Sequence, residues 1–155
     1  MKKSVVAVGT ALTMALAGAA APAALAQGHT PHAKAAKPKV TVSPSKPKVN
    51  DTVTAHGSGF AKNQSLVCLL SLYKKGVKLT SSAADLNTAN TDLKSNSKGK
   101  VTCQQIFIKF TGNGKYSKYH CPPTKKNRKQ GWTCGVAIAQ AKRGTTEYAV
   151  GAFKF

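Results

Sequence analysis

From residue 40 onward the chain consists of short apolar or alternating runs, each closed by Gly, Pro, Asn or Ser, and this punctuation leaves no room for an ordinary helix. Residues 40–42 (Val-Thr-Val) predict a first strand, ended by Ser43-Pro44-Ser45-Lys46-Pro47. Thr/Val alternation predicts a second over 51–56, closed by Gly57-Ser58-Gly59-Phe60. The continuous apolar run 66–73 predicts a central strand buried on both faces. After the turn Lys74-Lys75-Gly76, residues 77–80 predict a short strand, 81–90 a polar loop or edge, and 91–93 a weak strand before the turn 95–99.

Residues 100–110 alternate clearly, but both parities mix polar and apolar side chains, so a face-switching bulge near Gln104-Gln105 is expected. Residues 111–133 read as irregular. The last two strands, 134–141 and 148–155, are expected to join in a hairpin around Lys142-Arg143-Gly144. About seven short strands without a helix point to an all-β chain, an immunoglobulin-like seven-stranded sandwich, although periodicity alone describes a barrel equally well.

Upstream of this pattern, Lys2 and Lys3 precede an alanine-rich apolar run that ends in Ala24-Leu25-Ala26. This is the layout of a secretory signal peptide, residues 1–26, cleaved after Ala26. Gly9, Gly18 and Pro22 interrupt the run and a polar stretch follows it, which argues against a membrane anchor. Residues 27–39, rich in His, Ala, Lys and Pro, are expected as a disordered basic tail, and 40–155 as one domain. No later stretch approaches the ~20 apolar residues of a spanning helix, so the expectation is a secreted, extracellular monomer.

Export implies an oxidising environment, in which Cys68, Cys103, Cys121 and Cys134 read as two disulfides, with all three pairings open. A metal site is not expected, because no two cysteines stand at zinc-ligand spacing and the histidines are scattered.

Charge is the compositional extreme. The formal net charge is +20, against only Asp51, Asp85, Asp92 and Glu147. Anionic partners follow: nucleic acid, another polyanion or an anionic cell surface. Lysine dominates and the arginines are Arg128 and Arg143, so phosphate contacts would be point-charge contacts. The densest cluster is Lys115, Lys118, Lys125, Lys126, Arg128 and Lys129, interleaved with Tyr116, Tyr119, His120 and, just beyond, Trp132. Such a loop suits polyanion binding by counterion release, with stacking on bases. Catalysis has little basis: the carboxylates are dispersed, and His56 and His120 lie in turns without a nucleophile-elbow pattern.

Several of these segments resemble the neocarzinostatin-type apoproteins of actinobacteria. The matching residues are Val40-Thr41-Val42-Ser43-Pro44, Asp51-Thr52-Val53-Thr54-Ala55, Gly57-Ser58-Gly59-Phe60 and Thr91-Asp92-Leu93 with Gly99-Lys100-Val101-Thr102. Cys121, Cys134-Gly135-Val136 and Gly151-Ala152-Phe153-Lys154-Phe155 complete the set, which touches nearly the whole domain. The resemblance implies a seven-stranded immunoglobulin-like sandwich whose cleft carries a small aromatic ligand, a non-covalent enediyne-like chromophore with a DNA-damaging antibiotic role. It also implies a Cys121–Cys134 bridge and leaves Cys68–Cys103 as a staple between strands. Ser71 stands at the cysteine-like place of the family's short first loop. The implied cleft residues are Phe107, Phe110, Tyr116, Trp132, Gly135 and Ala137, with Ala139 continuing the small-residue floor. The alternative reading is a cationic polyanion or cell-envelope binding protein without a chromophore.

Overall fold

The computed structural model describes residues 37–140 and 147–155. The signal peptide, the tail up to residue 36 and the turn around Lys142-Arg143-Gly144 lie outside the described residues. In chain order the strands are β1 (Lys39–Ser43), β2 (Thr52–Ser58), β3 (Ser65–Tyr73), β4 (Asn90–Lys94), β5 (Val101–Ile106), β6 (Phe110–Thr111), β7 (His120–Cys121), β8 (Thr133–Gln140) and β9 (Tyr148–Ala152). Lys39, assigned to the tail from sequence, already pairs with Ser58 in the first strand.

Seven strands form two antiparallel sheets, β1-β2-β5 and β4-β3-β8-β9, while β6 and β7 make a separate ribbon. This is the immunoglobulin-like sandwich, and two open sheets replace the barrel alternative. Period-two alternation builds the core between them. Val53, Ala55, Val101 and Cys103 point inward from one sheet, and Leu66, Cys68, Leu70, Val136 and Ile138 from the other. Burying a side chain such as Leu70 or Ile138 stabilises the fold by roughly 1.5 to 3 kcal/mol.

One edge is closed by packing of β1 on β9, with one backbone hydrogen bond just beyond them, from the Lys154 N–H to the Ser45 carbonyl at 2.8 Å. A Cβ on Gly151 of β9 would stand 2.6 Å from Val42 and 2.9 Å from Val40, so the missing side chain lets β1 lean against β9. Cys68–Cys103 joins β3 to β5 across the two sheets, and Cys121–Cys134 ties β7 to β8. This is the expected pairing: Cys121–Cys134 at the place the family resemblance implies, and Cys68–Cys103 as the staple between strands where the chain departs from the family. Among the described residues, no helix is long and apolar enough to cross a membrane.

Three local expectations are corrected. Residues 77–80 form no strand; the chain instead makes two 3₁₀ turns, Ser81–Ala83 and Leu86–Thr88, because this segment folds over the outer face of β3. β5 carries no bulge at Gln104-Gln105, since its burial alternates without a break from Val101 to Ile106. Gln105 points inward as a polar core residue, its carboxamide donating to the carbonyl of Cys68 at 3.0 Å. Within the irregular 111–133 region, one helical turn, α1 (Lys125–Lys129), is capped by Thr124, whose hydroxyl accepts from the Asn127 N–H.

Candidate functional site

Because Leu66, Cys68, Leu70, Val136 and Ile138 face inward, the alternate residues Val67, Leu69, Ala137 and Ala139 lie on the outer face of the four-stranded sheet. Residues 79–89 cross this face and are fastened to it at several points. The Asp85 N–H donates to the Leu70 carbonyl at 2.9 Å, and the Leu70 N–H donates to the Thr88 hydroxyl at 3.1 Å. Ser71 pairs with Ala84, and its hydroxyl donates to the Leu72 and Ala83 carbonyls. At the near end the Leu79 N–H donates to the Tyr148 hydroxyl at 3.1 Å.

Between this crossing segment and the sheet lies an apolar groove of about 360 Å³, walled by Leu79, Ala84 and Leu86 over a floor that includes Val67, Leu69 and Ala139. Ala137, fully buried, packs beside it. Leu86 at the rim is 59% exposed. On the other side of Ala84 and Leu86 is a more polar concavity of about 520 Å³, reached by Asp85, Ile108, Phe110 and Asn113.

No family model and no curated protein matches the sequence. Among solved structures, macromomycin is similar at 19% identity over 76% of this chain and 98% of its own, with a TM-score of 0.46. Apokedarcidin is similar at 20% identity over 77% of this chain and 100% of its own, with a TM-score of 0.44. Both are neocarzinostatin-type apoproteins.

The six residues expected at a neocarzinostatin-type cleft separate into five places. Ala137 lies beside the groove, and Phe110 borders the adjoining concavity. Gly135 is buried farther along β8, where a Cβ would overlap the Gly151 carbonyl, so its smallness serves the contact with β9. Phe107 is instead a core residue, 1% exposed, packed at 5.0 Å between centroids against Phe153. Uninterrupted alternation from β5 carries it inward, and it offers no surface to a ligand.

Tyr116 and Trp132, each 6% exposed, belong to a separate aromatic cluster with Tyr119. The basic residues of the loop, Lys115, Lys118, Lys125, Lys126, Arg128 and Lys129, are all exposed around that cluster. They form a basic cap, and none of them lines the groove.

Sequence reasoning missed Leu79, Thr80, Ala84 and Leu86. Their signal was indirect: a strand apolar on both faces needs a cover on its outer side, and the following segment contains the apolar residues to supply it. Among the described residues, no group of three or more His, Cys, Asp or Glu side chains converges to hold a metal.

Proposed function

We infer that this protein is an exported, non-enzymatic carrier of a small, flat, apolar ligand, held in the groove between β3, β8 and the crossing segment 79–89. The carrying observation is the groove itself: an apolar concavity of about 360 Å³ over a floor of Val67, Leu69 and Ala139, with Leu86 left exposed at its rim. Concave, mostly apolar sites of a few hundred Å³ suit small apolar ligands. The ligand class follows from the sequence resemblance, an enediyne-like aromatic chromophore. Ala139 in the floor supports it, because a small side chain there admits a planar ring face against the sheet. Binding rather than chemistry is the reading, since the groove lining brings no carboxylate, histidine or thiol.

The test is an amide chemical-shift titration with 2-naphthol as a neutral aromatic probe. Shifts are expected at Val67, Leu69, Ala84 and Ala139, and Ala139→Trp, which fills the groove, should weaken binding by about tenfold or more. No shifts, or shifts centred on Trp132 and Tyr116, would overturn the assignment. Native mass spectrometry of protein from its own culture medium, handled in the dark, identifies the ligand, and an N-terminus at Gln27 checks export.

A further inference from the structure

The basic cap is distinct from the groove. Trp132 lies nearly parallel to Tyr119 at 4.2 Å between centroids and edge-on to Tyr116 at 5.6 Å. Three ammonium groups stand over these rings: Lys74 is 5.9 Å from the Trp132 centroid, Lys115 is 5.2 Å from Tyr116, and Lys118 is 5.4 Å from Tyr119. Each ammonium lies within cation–π range of its ring, a weak attraction at an exposed site that biases where the lysine points, while the rings remain largely covered.

Helix α1 is built into the same surface through Asn127. Its side-chain oxygen accepts from the His120 N–H at 3.4 Å, its side-chain nitrogen donates to the Lys118 carbonyl at 3.3 Å, and its backbone carbonyl accepts from the Trp132 N–H at 3.0 Å. This arrangement exposes Lys125, Lys126, Arg128 and Lys129 beside the aromatic cluster. Like charges three and four residues apart repel along a helix, and no acidic residue occurs between Asp92 and Glu147 to relieve them locally. The Thr124 cap and the Asn127 bonds hold the turn together against that repulsion.

The geometry also selects a partner. Buried ring faces leave unstacked bases little to stack on, which disfavours single strands. A single arginine among the seven cations offers little bidentate reading of base edges. Cations mounted on rings and on an anchored helix are preorganised, so they lose least on meeting a stiff partner whose phosphates are already in place. We propose that this cap binds duplex nucleic acid through its phosphates, without regard to sequence.

Fluorescence anisotropy of a labelled duplex of about 20 base pairs, titrated with the purified chain between about 50 and 200 mM salt, tests this. About six neutralised phosphates give a slope near −5 in log affinity against log salt. Lys125→Gln, Lys126→Gln, Arg128→Gln and Lys129→Gln combined should flatten the slope by about 3 to 4, with the near-ultraviolet signal of Trp132 preserved as the check on folding. Two duplexes of unrelated sequence should bind within about twofold of each other, and the matching single strand more weakly. An unchanged slope in the folded variant, a marked sequence preference, tighter binding of the single strand, or equally tight binding of poly(glycerol phosphate) would each overturn the proposal. Ala139→Trp should leave the slope intact, so failure of the groove reading and failure of this one are distinguishable.

Discussion

Thr80 carries a buried hydroxyl that makes no hydrogen bond among the described residues, at the edge of an otherwise apolar groove. A buried, unpaired polar group costs on the order of 1 kcal/mol or more, so Thr80→Val, close in shape, should stabilise the protein by about 1 kcal/mol. A higher urea midpoint at unchanged slope is the expected measurement, and a lower midpoint would show that the hydroxyl has a partner in solution. Gly99 shows the opposite constraint. Its φ is +69° and a Cβ would overlap the Phe60 carbonyl, so Gly99→Ala should destabilise by more than about 1 kcal/mol in the same assay. The turn at 95–99 was legible from its Ser, Asn and Gly, but the approach of Phe60 was not, because those residues meet only through tertiary packing. Gln105 differs for a similar reason: its polarity suggested a break in the strand, while its burial depends on a carbonyl contributed by distant Cys68.

At the level of elements, β3 was the most readable part of the chain, since a continuous apolar run predicts burial on both faces and both faces are indeed covered along most of its length. The cover itself was less readable. Residues 77–90 alternate weakly, and their path is set by bonds to β3 and to Tyr148 rather than by local propensity. Tyr148→Phe removes the acceptor for the Leu79 N–H, and the expected result is faster amide exchange across 79–89, about five- to tenfold, with the β3 amides bonded to β8 unchanged. Equal acceleration in β3 would mean that cover and sheet open as one unit. Helix α1 escaped sequence reading because a single turn has too few residues for periodicity, and Pro122-Pro123 just before it reads as loop.

On the scale of the whole molecule, the two disulfides do different work. Cys68–Cys103 links the two sheets across 35 residues of sequence, whereas Cys121–Cys134 closes a separation of 13. By the chain-entropy model, replacing the first pair with alanine should cost about 4 kcal/mol and the second about 3 kcal/mol. Thermal unfolding of the two double variants checks the order, and a larger loss from the second pair would mean that the ribbon and α1 support the core more than loop length suggests.

The groove and the basic cap occupy different parts of this sandwich, which sequence reading had merged into one rim. Alternation, turn residues and an even cysteine count were enough to determine an all-β chain with two disulfides, because these are local or compositional properties that each segment carries by itself, whereas the two open sheets of a sandwich were not separable from a barrel by pattern alone. Which aromatic residues stay at the surface was decided only in three dimensions. Phe107, Tyr116 and Trp132 carry apolar surface that any core will take, and the inward parity of β5 and the stacking on Tyr119 claimed them, leaving the groove to aliphatic and alanine side chains.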